Sequence, residues 1–328
     1  MLFNIQYRLR GQSLIEILVA ISVGIILIGG SVLLISVALR SYEAIRQRIT
    51  VNSLLRQQSE VLIFLAQDNW HNLYDLTRNS NYYATSTNNV WSINSGQETG
   101  ILNNVPYRRY FKVYDVNRDG SGNISTSGTL DPNTLKLIAF IEYGTNYISS
   151  SSLTFYLTRS ANNKVMQQTD WSGGSGQTGP LPNPGTKFDT STNINYASTS
   201  GQISLATTTQ TGELTSSILD TGVSGGAGFN SFLWIGNGNV KLQFACASEA
   251  SGPWTYYGCI SNTPLDCSSS SNWTTSLSSV AYATAATSYP FLTNGTGNPQ
   301  NERYIRYKVY LATSSPPTIN DIIINWSP

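Results

Sequence analysis

The residues able to do chemistry are few and scattered. His71 is the only histidine in the 328 residues, and no Ser or Cys has a reason to lie beside it as a nucleophile. It reads as a surface or helix-end residue. Three cysteines, Cys246, Cys259 and Cys267, fall within one 22-residue window without a CxxC pair. That argues against zinc and for an oxidising compartment holding one disulfide and one spare thiol. Cys259 and Cys267 close a short loop and are the preferred pair, with Cys246 to Cys259 across a hairpin as the alternative. The acids of the last third, Glu213, Asp220, Glu249, Asp266, Glu302 and Asp321, show no acid/base pairing, so no catalytic residue is assigned and an enzyme such as a glycosidase is the weakest reading. Asp115, Asn117 and Asp119, inside D-V-N-R-D-G-S-G-N, imitate the opening of an EF-hand calcium loop. Position twelve of that loop is Thr126 instead of Glu, and no helices flank it. A hairpin turn wants the same residues and is preferred; calcium is the only cofactor the sequence suggests.

Composition points to a secreted, largely β protein. Charged residues make up 11%, against the usual quarter or so, and net charge is +1. Ser, Thr, Asn, Gly and 19 Tyr take their place, the residues that strands and turns favour. No dense Lys/Arg cluster lies outside the N-terminal region, which argues against nucleic acid as a partner.

The N-terminal segment is the most informative. Residues 1–10 carry Arg8 and Arg10 and no acid; Gly11 follows, then Gln12-Ser13-Leu14-Ile15-Glu16. From residue 14 to 39 run 26 residues whose only charge is Glu16, about 39 Å of helix against a hydrocarbon core of about 30 Å. The arginines ahead of it place the N-terminus inside by the positive-inside rule. The run is too long for a signal-peptide h-region and has no clean small-x-small cleavage site. A plain membrane anchor would not require an acid at the very start of the apolar run, directly after a Gly-bounded polar segment.

Arg10-Gly11-Gln12-Ser13-Leu14-Ile15-Glu16-Ile17-Leu18-Val19 resembles the processing site of type IV prepilins and pseudopilins. The resemblance implies cleavage by a prepilin peptidase between Gly11 and Gln12, methylation of the new N-terminal Gln12 where the family usually has Phe, and Glu16 as the fifth mature residue. A carboxylate in hydrocarbon needs a partner. In a filament, Glu16 of one subunit can pair with the Gln12 amine of its neighbour and set the register. Gly24, Gly29 and Gly30 interrupt the run and are a weak signal for close helix packing.

Past the apolar run, apolar residues continue at helical spacing through Ile45, Ile49, Leu55 and Leu62, and no Gly or Pro occurs as far as Thr77. One helix from about residue 13 to 77 is expected, its second half burying a stripe under a sheet. Strands are expected over residues 107–116, 135–143 and 153–158. Residues 166–200, rich in Gly, Ser, Thr, Asn and Pro, read as a linker or an ordered surface loop. Strand patterns then recur at short intervals to Trp326. This part resembles bacterial extracellular jelly-roll β-sandwich modules, through Ser217-Ile218-Leu219-Asp220-Thr221-Gly222, Gly252-Pro253-Trp254, Arg303-Tyr304-Ile305-Arg306-Tyr307-Lys308-Val309 and Thr318-Ile319-Asn320-Asp321-Ile322-Ile323-Ile324. Some such modules bind sugars through exposed rings, which makes Trp254, Tyr256, Tyr257 and Trp273 candidate glycan contacts; core packing is the plainer role for any one of them.

The expected class is α+β: a long N-terminal transmembrane and amphipathic helix packed on a small antiparallel sheet, then an all-β jelly-roll-like sandwich. The expected organisation is a cleaved leader (1–11), a membrane or filament-core helix (12–39), its amphipathic half (40–78), a pilin-type sheet (79–165), the linker (166–200) and the sandwich (201–328). The resemblances imply a minor pilin-like subunit, held single-pass in the cytoplasmic membrane before assembly and displayed at the cell surface afterwards. Its partners would be the peptidase, the membrane and other pilin subunits. A pilus-borne adhesin binding a surface glycan or polymer is the alternative; a type II secretion pseudopilin ranks behind it.

Overall fold

The computed structural model describes residues 14–88, 90–102, 104–177, 179–181, 184–196, 201–260, 267, 270–291 and 300–328. Helix α1 (Leu14–Asp68) opens the described chain. Its apolar first half is long and apolar enough to cross a membrane, and no side chain in it is buried. The serines within that half do not need outside partners: Ser22, Ser31 and Ser36 each donate to the carbonyl four residues earlier. Among the described residues, Gly24, Gly29 and Gly30 face open space.

The second half of α1 does pack. Val51, Leu55, Gln58, Leu62 and Leu65 form its buried stripe, at the three-and-four spacing that keeps side chains on one helix face. The helix stops at Asp68, short of the expected Thr77. The reason is local: Asn69 Oδ1 accepts the His71 N–H at 2.9 Å, starting a separate turn, α2 (His71–Tyr74). The bend brings Trp70 and Leu73 into the core with Leu62.

The sheet beneath the helix is antiparallel throughout. Its strands are β1 (Tyr82–Thr87), β2 (Val90–Ser95), β3 (Glu98–Leu102), β4 (Val105–Arg118), β5 (Thr129–Tyr143) and β6 (Ser149–Thr158). The order is β2-β1-β4-β5-β6, and β3 pairs with the start of β4. Phe111, Val113, Leu135 and Leu137 face Leu62 and Trp70, while Ala139 and Ile141 face Val51 and Leu55. We call α1's second half and this sheet the head.

The distal region is a sandwich of two sheets. Strands β7 (Lys164–Gln168), β9 (Ile203–Leu205), β11 (Ala227–Asn237) and β14 (Thr318–Ser327) belong to one; β14 is its centre, with β11 on one side and β7 and β9 on the other. Strands β8 (Lys187–Thr192), β10 (Gly212–Ser216), β12 (Val240–Ala247) and β13 (Tyr304–Leu311) form the other, in the order β8-β10-β13-β12. Trp171, Phe188, Phe229, Trp234 and Tyr307 fill the space between them. Much of the described part of residues 166–200 is therefore ordered strand instead of linker. Their β7 and β8 strands pair with β14 and β10, partners more than 20 residues away, so long-range pairing sets their structure where local composition suggested a coil. The boundary between head and sandwich lies at the turn Arg159–Ala161, where Arg159 is 3% exposed.

Candidate functional site

Gly11 and Gln12 lie outside the described residues. Glu16 stands in the first turn of α1, exposed, with no hydrogen bond or ion pair among the described residues. It is continuous with an apolar surface that the other described residues leave uncovered, from Leu14 to Leu39. This helix face is one candidate site, for a membrane or for other helices.

The second lies on the outer face of the β8-β10-β13-β12 sheet. Along β13 the core takes Ile305, Tyr307, Val309 and Leu311, so Arg306, Lys308 and Tyr310 project to the other side. Residues 252–257 fold back over that face after a cis Gly252-Pro253 bond. The Trp254 ring lies over the Arg306 guanidinium, 5.4 Å to the centroid, and the Tyr256 ring over Lys308 Nζ at 4.8 Å. Acids hold both cations from below. Arg306 Nη2 donates to Asp189 Oδ2 at 2.5 Å and Lys308 Nζ to Glu213 Oε1 at 3.2 Å. Tyr310 donates to Gln243 Oε1 at 3.1 Å, and burial pushes its phenol up to about 12. Burial likewise raises Tyr256.

The four candidate rings thus part company. Trp254 and Tyr256 are half-buried on the outer face. Trp273 packs on the core against Phe232 and Phe291 and donates its indole N–H to the Cys267 carbonyl at 2.8 Å. Tyr257 pairs through its backbone with Phe244. The partners of the outer rings were not singled out from sequence, although the alternation Arg306, Lys308, Tyr310 along one strand is a signal that would have found them.

Cys259 and Cys267 are joined, with 5.5 Å between their Cα atoms, and both are buried. Cys246 is free, and burial pushes its thiol well up. The calcium candidates are not brought together. Asp115 accepts from Arg78 Nε at 2.6 Å, and Asn117 pairs in the β4–β5 ladder. Asp119 Oδ1 accepts the backbone N–H groups of Asn123 and Ser121, both at 2.9 Å, which hold its carboxyl below the ordinary value. Among the described residues no group of three or more His, Cys, Asp or Glu is placed to hold a metal. His71 pairs with Asp75 at 3.0 Å, and its ring lies where Gly225 leaves room for it. The distal acids face different groups: Glu213 has Lys308, Asp220 has Arg303, Glu302 has Ser248 and Asp321 has Gln167. Asp266 is outside the described residues.

No protein-family model matches this chain, and no curated protein matches it. A solved structure from work on the promiscuous specificity of carbohydrate-binding modules of the β-sandwich superfamily aligns with 71% of this chain and 97% of its own. The identity is 12% and the TM-score 0.20, a likeness too slight to say anything of this chain's ligands.

Proposed function

We propose that this protein is a minor subunit of a type IV pilin-like filament. It would be made with a leader cut between Gly11 and Gln12, held in the cytoplasmic membrane by the first half of α1, and assembled through that helix with the sandwich displayed outward. The observation that carries the reading is the division of α1: one unbroken helix whose first half is bare and apolar and whose second half is buried in a sheet. A helix of that kind needs hydrocarbon or other helices around its first half. Glu16 at the start of the bare half is the charge that then needs a neighbour's amine. Intact-mass measurement of the protein from cells with and without prepilin peptidase tests the processing: the mature form should lack the first 11 residues. Finding Met1 retained in normal cells sinks the reading. Glu16→Ala should leave the protein in the membrane yet out of filaments.

A second reading, a glycan- or polymer-binding role for the sandwich, is favoured by Trp254 and Tyr256 over Arg306 and Lys308. Rings with cations beside them suit a sugar carrying carboxylate groups. Trp254→Ala should abolish binding on a glycan array that includes uronic-acid polymers; no binding by the intact protein counts against this role and leaves the filament reading standing.

A further inference from the structure

The packing identifies which end of the head lies near the bare half of α1. Val51 and Leu55 meet Ala139 and Ile141, with Tyr107 and Tyr143 alongside, whereas Leu62 and Trp70 further on meet Phe111, Val113 and Leu135. β4 therefore begins near residue 51 of the helix and runs away from the apolar segment. The β3–β4 turn and the β5–β6 connection lie at this lower end, tied by a backbone bond from Gly144 N to Pro106 O at 3.0 Å.

Outside α1, the two most exposed large apolar side chains among the described residues are Ile148 at 83% and Ile101 at 74%, one beside each connection. Leu102 joins them at 36%, because a cavity of about 240 Å³ separates the turn from α1. The helical wall of that cavity runs from Glu43 to Leu54, so its lower edge lies four residues, about 6 Å of helix, past Leu39. Arg40, Arg46 and Arg48 stand exposed on the same stretch, and none has an ion-pair partner among the described residues.

We infer that the lower end of the head docks on the lipid surface. Ile101, Leu102 and Ile148 enter the interfacial zone of the outer leaflet, and Arg40, Arg46 and Arg48 meet lipid phosphates. The occupant follows from depth and charge. The interfacial layer is about 5–7 Å thick on each side, so the lower edge of the cavity at Glu43 falls within it. Guanidinium groups suit phosphates, and apolar tips suit the headgroup boundary. The apolar run is also longer than the hydrocarbon core by about 9 Å, and the tilt that absorbs the surplus lowers one flank of the head toward the leaflet. Docking would hold the subunit in one orientation until it is extracted into a fibre. The inference rests on the reading of α1 as a membrane span.

Depth measurement by spin labelling tests both and keeps them apart. The full-length protein carrying Cys246→Ser is placed in vesicles of phosphatidylethanolamine and phosphatidylglycerol. Ile28→Cys, Ile101→Cys, Ile148→Cys and Ile124→Cys are labelled one at a time, and collisions with oxygen are compared with those of a water-soluble nickel chelate. The label at 28 should be deep. Those at 101 and 148 should shift toward oxygen relative to the label at 124, at the far end of the head. Arg46→Glu with Arg48→Glu should reverse that shift. A deep label at 28 with 101 and 148 as aqueous as 124 overturns the docking and leaves the membrane span standing. A shallow label at 28 overturns the span and the docking with it. Loss of both collision signals at 101 with spin–spin broadening means a second copy covers the surface, which also overturns the inference.

Discussion

Arg159 Nη1 donates to the Asn301 side-chain oxygen at 2.6 Å, joining the last turn of the head to the distal sandwich. The same guanidinium donates from Nη2 to the Gly226 carbonyl at 2.6 Å and from Nε to the Pro328 carbonyl at 3.2 Å. Burial lowers the Arg159 pKa to about 10, against the smaller opposing influence of Tyr74 and Asp75. The head and sandwich are thus held by a planar five-donor group that only Arg supplies. Asn162 adds a bond from its amide to the Gln67 carbonyl at the end of α1.

Arg159→Met should expose this arrangement. The methionine fills part of the volume but leaves two buried oxygens unpaired, at Gly226 and Pro328, at a cost of about 1–3 kcal/mol each before relaxation. The expected result is a lower unfolding temperature and new protease cleavage between Arg159 and Lys164. Unchanged proteolysis would mean the junction is held by other contacts.

Which parts of this fold were legible from sequence depends on the range of the forces that shape them. Residues 240–247 and 304–311 alternate strongly and emerge as β12 and β13 with those bounds. Trp171, Phe188 and Ile194 are buried, yet they sit among Gly, Ser and Pro in a stretch that composition alone labels a linker. Their order comes from β10 and β14, which no local pattern encodes. The end of α1 hid behind the absence of Gly and Pro, because the break is made by the Asn69 side chain. At the outer-face site, Trp254 and Tyr256 were visible as rings. That Trp273 would turn inward was not, since its strand, Trp273–Thr274, is only two residues long and too short to show a period.

Tyr307 illustrates the same long-range order inside the sandwich. Its hydroxyl accepts from Trp171 Nε1 at 3.0 Å and donates to Gln168 Oε1, tying β13 to the former linker, and burial pushes its phenol well up. Tyr307→Phe removes both bonds and strands two buried polar groups. Urea unfolding should show a loss of about 2–4 kcal/mol, counting about 1–2 for each group. A loss no larger than that of an ordinary buried methyl would deny the network a structural role.

The disulfide offers a measurable constraint. Cys259 and Cys267 enclose a loop with a sequence separation of 8, for which loop entropy gives about 2.5 kcal/mol of stabilisation. Cys259→Ala with Cys267→Ala should lower stability by about that amount, and a reductant should lower wild type equally while leaving the double variant unmoved. Thiol counting sharpens the test. Native protein should show one slow thiol, Cys246, and reduced unfolded protein three. Two fast native thiols would contradict the pairing.

Asp321 should give the chain a pH dependence of unusual sign. It is buried on β14, where Oδ2 accepts from Gln167 Nε2 at 2.5 Å and Oδ1 has no protein partner among the described residues. Burial raises its carboxyl above the ordinary value, against the smaller opposing effects of the Gln167 bond and the Ile322 backbone N–H. The folded state therefore binds this proton more tightly than the unfolded chain. Stability contributed by the protonated form is fully present below the unfolded value of about 3.9 and is lost as pH rises through the folded one. Above that window the buried charge is a constant cost. Asp321→Asn keeps an oxygen for Gln167 and removes the charge. The variant should melt above wild type at pH 7, and the gap should close as pH falls toward 4. A gap that stays constant with pH would mean Asp321 is better solvated than its burial suggests, and a variant that melts below wild type at pH 7 would mean the carboxylate has a favourable partner.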